Sequence, residues 1–127
     1  MTSNKKYRDL LILIPVHNEK KNIFKILTKL KKLCTVLIID DYSSDGSEYI
    51  CMRYADYYIK NKKRIGYDNS LKKGFAFNEK KIKKKYLVTM DGDGQHKIKD
   101  AINLYLFTKK KKGYLVVGKR SFVNRKV

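Results

Sequence analysis

The strongest constraint on the fold of this chain is its set of short, uninterrupted apolar runs. "LLILIPV" (10–16), "TVLIID" (35–40) and "YLVTM" (86–90) are each the length of a strand and apolar at nearly every position. A strand with one wet face alternates polar and apolar residues; runs like these suit strands covered on both faces. "YYIK" (57–60) and "YLVVG" (114–118) add two shorter strand candidates. Between the runs the period changes. From Asn22 to Leu33, apolar residues fall at 23, 26, 27, 30 and 33 with lysines opposite, which is a helical stripe. "SSDGSEYICMRYA" offers cap residues followed by a short helix. Leu71, Gly74, Phe75, Asn78 and Ile82 predict a helix over about 70–83, and Ile98, Ala101, Ile102 and Tyr105 predict another. Strand and helix alternating in this way predict an α/β domain, a mostly parallel sheet with helices on both faces. At 127 residues the chain has room for one such domain.

Charge narrows the partners less than its size suggests. Lys and Arg number 31 against 12 Asp and Glu, a formal charge of +19. Lysine dominates, Pro15 is the single proline, and Ile, Asn and Tyr are abundant, a composition that AT-rich coding produces whatever the protein does. Lys25, Lys29 and Lys32 share the outer face of one helix, and Lys109 to Lys112 are expected to form a loop run. No RNA-recognition sheet or helix-turn-helix signature accompanies them, so specific nucleic-acid binding is not expected. Scattered lysines can still attract an anionic lipid surface. The N-terminal "MTSNKKYRD" has no signal-peptide core, and no run is long enough to span a bilayer. Cys34 and Cys51 have neither metal-ligand spacing nor a disulfide framework. They are expected to be small core residues in a reducing cytoplasm.

In parallel α/β sheets, ligands gather at the carboxyl ends of the strands. Three polar segments stand at such ends: "PVHNE" after the first run, "DDYSSDGS" after the second, and "DGDGQH" after "YLVTM". Taken singly, Asp-Gly after a strand is an ordinary turn. Taken together, Glu19, Asp40, Asp41, Asp91 and Asp93 would repel one another without a cation. Carboxylates with an amide nearby suit Mg²⁺ or Mn²⁺ shared with substrate phosphates. The glycines at 92 and 94 would admit a phosphate close to the backbone. Neither a GxxxxGK[ST] loop nor a GxGxxG after the first strand is present. The residues by themselves thus point to a metal-dependent site for a nucleoside diphosphate.

"ILIPVHNEKKNI", "VLIIDDYSSDGS", "YLVTMDGDGQH" and "YLVVGKRS", in this order and spacing, resemble a family 2 glycosyltransferase of the GT-A fold, most of all its dolichyl- and polyprenyl-phosphate mannose synthase branch. The resemblance implies roles by position. Pro15, His17 and Glu19 match first-strand residues that hold the donor's base and ribose. Ile39 and Asp41 match a pair at the nucleoside, with Asp41 at the base. Asp91 and Asp93 match the D-x-D motif: Asp93 on the divalent cation, Asp91 shared between metal and ribose, and Gly92 between them at the donor. Gln95 matches a residue that completes the metal shell, and Arg120 a basic residue that reaches the donor phosphates. The implied function is an inverting, metal-dependent transfer of sugar from a GDP- or UDP-sugar, with Mg²⁺ or Mn²⁺, onto a polyprenyl phosphate or other envelope acceptor. The implied location is the cytoplasmic face of a membrane.

The chain departs from this pattern in two ways. "GYDNSLKKGF" (66–75) carries Asp68 and Ser70 where the family has small residues, and Ile98 replaces a common proline. Family domains also run nearly as long again. The expectation is therefore a single domain over 1–127 that lacks its acceptor side. The general base, for which no catalytic residue is assigned in this chain, would then come from the missing half or from a partner chain. The alternatives are a sugar-nucleotide-binding remnant or subunit without turnover and, less favoured, a charge-driven nucleic-acid binder.

Overall fold

A computed structural model describes residues 4–94 and 97–111. The order of elements is β1 (Leu10–Val16), α1 (Lys20–Leu30), β2 (Thr35–Asp40), α2 (Ser47–Tyr54), β3 (Tyr57–Lys60), α3 (Tyr67–Phe77), β4 (Tyr86–Thr89) and α4 (Lys97–Lys110). The strands form one parallel sheet in the order β3-β2-β1-β4. The fold is α/β and Rossmann-like, consistent with GT-A, as the periodicity predicts. The run 114–118 lies outside the described residues.

The apolar runs are explained by where their alternate residues go. Leu10, Ile12, Ile14 and Val16 of β1 join the core built from α1, α2 and α4, including Ile23, Leu27, Cys51, Ala101 and Tyr105. Leu11 and Leu13 join the opposite core, with Leu37, Ile39, Leu87 and Leu71 of α3. Every residue of β2 and β4 is buried, whereas the edge strand β3 is only partly covered. A right-handed crossover fixes the faces. The chain steps outward from β1 to β2 to β3, so α1 and α2 share one face. It then returns across the sheet to β4, which puts α3 on the other. Gly74 lets α3 lie against β1: a Cβ there would stand 2.5 Å from the Leu13 methyls.

Element ends differ modestly from the periodic pattern. The helix expected over about 70–83 begins earlier, at Tyr67, and closes through a π-helical turn at Asn78–Ile82. There the Asn78 amide accepts from Lys84 N and donates to Lys84 O, which ends the helix. The lysines expected in a loop at 109–112 begin inside α4, which extends to Lys110. Cys34 and Cys51 are buried free thiols, and burial, the main cause, pushes each up to about 12. Among the described residues no helix is long and apolar enough to cross a membrane.

Candidate functional site

The strand order reverses between β1 and β4, and in open α/β sheets that reversal opens a crevice at the carboxyl ends. The segments after β1 and β4 flank it. Met90 N donates to Leu13 O at 3.1 Å, so the D-x-D segment leaves the sheet level with the middle of β1. Asp91 is buried and Asp93 exposed. Gly92 is covered from the β1 side: a Cβ would meet Glu19 Cγ at 3.3 Å and the γ-methyls of Ile14 and Val16 at 3.5 Å. The structure therefore places the Glu19 side chain beside Gly92.

The segments after β1 and β2 are laced together. Asn18, with φ 55°, donates its N–H to Ser43 Oγ at 2.9 Å and accepts from Ser44 N at 2.8 Å. Glu19 N donates to Ser47 Oγ at 3.0 Å, and Lys20 N to Asp45 Oδ2 at 3.1 Å. The start of α1 is thus capped by the neighbouring loop rather than by its own N-cap residue. Much of the polar character of "DDYSSDGS" is spent on this lacing. Asp40, fully buried, accepts from Ser43 N at 2.9 Å and Tyr58 Oη at 2.6 Å, so it closes a turn beneath the site.

His17 and Asp41 are joined through the 61–66 segment, of which the sequence pattern marked only its last residue, Gly66. Asp41 Oδ1 accepts from Ile65 N at 2.8 Å and Asn61 Nδ2 at 3.0 Å; Oδ2 accepts from Gly66 N at 2.9 Å and Arg64 Nε at 3.2 Å. Burial pushes this carboxyl up, but these donors outweigh it and hold Asp41 below the ordinary aspartate value. His17 Nδ1 lies 2.9 Å from the Asp41 carbonyl, so Nδ1 carries the hydrogen. Nε2 then accepts from Arg64 Nη1 at 3.0 Å and Asn18 Nδ2 at 3.2 Å. Asn61 also donates to Ser70 Oγ and accepts from Lys73 Nζ. Gly66, with φ 93°, turns the chain from this cradle into α3.

The expected site residues accordingly divide. Pro15, His17, Glu19, Asp91, Gly92 and Asp93 stand at the carboxyl ends of β1 and β4, on the crevice. Asp41 is at the end of β2 with its carboxylate turned to the 61–66 segment. Ile39 lies wholly inside the α3-side core, with no exposed side-chain surface to offer a ligand. Gln95 and Arg120 lie outside the described residues. Arg64, Asn61 and Lys97 were missed. Each is one polar residue in a strongly basic chain, without a spacing that marks it.

The family model for glycosyl transferase family 2 matches residues 11–127, which takes in every element above except the first residue of β1. The chain belongs to glycosyl transferase family 2. It is also similar to an uncharacterized protein of Methanocaldococcus jannaschii, 37% identical over 98 residues. That match covers 72% of this chain and 43% of the relative, so the chain spans less than half the length of that protein.

The residue types of the D-x-D segment are compatible with the divalent cation typical of the family. Among the described residues no three His, Cys, Asp or Glu side chains converge as a protein-made metal centre. At the end of β4, Asp93 is exposed, whereas Asp91 is buried with Lys97 Nζ 3.7 Å from its Oδ2. Mg²⁺ and Mn²⁺ can bind through one or two carboxylates, since they keep waters and share phosphate oxygens rather than needing a protein cage.

Proposed function

We propose that this domain binds a nucleoside diphosphate sugar in the crevice between β1 and β4 and serves inverting transfer of the sugar, with a polyprenyl phosphate or similar lipid phosphate as acceptor. The observation that supports this best is the meeting of the D-x-D segment with the Pro15–Glu19 segment at the reversal of strand order. In this reading Asp91 and Asp93 hold Mg²⁺ or Mn²⁺, joined by Gln95. When bound, the cation supplies Lewis-acid stabilisation of the departing diphosphate. Pro15, His17 and Glu19 line the nucleoside side, and Arg120 reaches the phosphates. His17 is held in one tautomer by the Asp41 carbonyl, so it presents a fixed face to the donor.

Asp41 and Ile39 act differently from the simplest expectation. Asp41 shapes the nucleoside end by holding the 61–66 segment, and Ile39 supports it from the core. The mannose-synthase likeness and the charge of +19 both favour work at an anionic membrane surface, on its cytoplasmic side. A second reading is donor binding without turnover, with the acceptor side supplied by other residues or a partner chain. It is favoured by the coverage of the relative, less than half its length. Positioning of the acceptor is worth many powers of ten in rate, so binding can persist where transfer does not.

The test is thermal stabilisation by GDP, UDP and their sugars, with and without Mn²⁺, followed by donor turnover with a polyprenyl phosphate. Selective, Mn²⁺-dependent stabilisation by one nucleotide is expected. The 127-residue chain by itself is expected to bind donor without efficient transfer. Stabilisation by any polyanion alike, abolished by salt, would overturn the donor site.

A further inference from the structure

Lys97 opens α4, and its ammonium lies 3.7 Å from Asp91 Oδ2. The Asp91 side chain is only 6% exposed and that of Lys97 31%, so the pair is shielded from solvent on the carboxylate side. Shielding of this kind leaves the attraction less screened than between two surface charges. The backbone reinforces the placement, because Lys97 N donates to Gly94 O at 3.2 Å and ties the start of α4 to the D-G-D-G segment. A cation in the first turn of a helix opposes the helix dipole. The position is therefore unfavourable for lysine on local grounds, and the carboxylate of Asp91 offsets that cost.

We propose that Lys97 is a resident counter-ion of the D-x-D motif: it holds Asp91 when the donor is absent and transfers its charge to the donor diphosphate when nucleotide and divalent cation bind. The proposal rests on Asp91 and Asp93 being the metal-binding pair. Its basis is that one buried carboxylate faces two claims. A divalent cation drawn to Asp91 meets a positive charge already on that carboxylate. A diphosphate relieves the conflict by bringing negative charge that the ammonium can follow. The flexible four-carbon stem of lysine lets the charge move while the helix stays in place, and ammonium is a good point-charge partner for phosphate. Cation and nucleotide should then bind cooperatively, each weakly alone and each strengthening the other to the same degree. Lys97 is in this sense a positioning residue, which sets the order in which the site fills.

The experiment measures free Mn²⁺ by electron paramagnetic resonance with the 127-residue chain, alone and with GDP or UDP. It compares the parent with Lys97→Gln and Lys97→Arg. The neutral variant is expected to bind Mn²⁺ in the absence of nucleotide about fivefold or more tightly than the parent, and to lose most of the enhancement that nucleotide brings. Lys97→Arg, which keeps the charge, should behave as the parent. Equal Mn²⁺ affinities and equal nucleotide enhancement in parent and Lys97→Gln would overturn the role of Lys97 and leave the donor site standing. That role is equally overturned if Lys97→Arg behaves as Lys97→Gln, since length rather than charge would then matter. Failure of the parent to bind Mn²⁺ with either nucleotide would overturn both the donor site and the role of Lys97.

Discussion

Asp41 and Asp91 follow buried strands in similar sequence settings, "IID-D" and "VTM-D", yet the fold uses them in opposite ways. Asp41 is enclosed by donors of its own chain: two backbone N–H groups, an amide and a guanidinium. Asp91 is as buried as Asp41, but it lies next to exposed Asp93, with Lys97 Nζ 3.7 Å from its Oδ2. The difference comes from what lies alongside each strand. β2 is flanked by β3, whose following segment folds back over Asp41 and enters α3 at Gly66. β4 stands beyond the reversal of strand order and is followed by the short D-G-D-G segment and α4. A carboxylate at a strand end is thus tied to a crossover segment or paired with the helix that follows it, depending on the neighbouring connection.

The largest effect that would break this contrast is on folding. Asp41→Ala should destabilise the domain by about 1–3 kcal/mol, because it leaves the part-buried N–H groups of Ile65 and Gly66 at the α3 entry unpaired. Urea unfolding measures it, and a loss no greater than that of an exposed aspartate would show that the cradle is not an anchor. Next is Gly74→Ala, a control on the far face of the sheet. Forcing a Cβ against Leu13 should cost about 1–3 kcal/mol while leaving nucleotide affinity per folded molecule unchanged. A specific loss of nucleotide binding would mean that α3 reports to the crevice directly.

The acid limb sharpens the contrast further. The folded-state value of Asp41 lies below its ordinary 3.8, so between the two the unfolded chain binds the extra proton. Its contribution is complete above the ordinary value and is lost as pH falls through the lower folded one. The stability gap between parent and Asp41→Ala should therefore narrow on acidification; a gap constant down to the acid transition would argue against a charged anchor. The smallest effect on stability is expected at the open site. Asp93→Asn should change stability by less than about 0.5 kcal/mol, since the residue is exposed on a loop. The same substitution should abolish the Mn²⁺ dependence of nucleotide binding, and retained dependence would remove Asp93 from the metal pair.

The sequence by itself determined the layers of this protein. Consecutive apolar residues in "LLILIPV" and "TVLIID" can be buried only between two helical layers, and the stripe at Ile23, Ile26, Leu27 and Leu30 could only be a helix on one of them. It also determined that the polar segments at 15–19 and 91–93 would share the carboxyl edge, because parallel strands place all such ends together. Tertiary structure alone decided which of these residues are enclosed by their own chain and which stay exposed. Ile39 and Asp41 were expected at the nucleoside, but side-chain direction and the fold-back of 61–66 put one in the core and the other in a cradle. Arg64 and Lys97 carried no signal among 31 basic residues. Their meaning comes from distances of 3.0 Å to His17 and 3.7 Å to Asp91, across separations of 47 and 6 residues. Local periodicity reports which face of an element is dry. Which charges meet at its end is set by strand order and crossover, and these emerge only when the whole sheet is assembled.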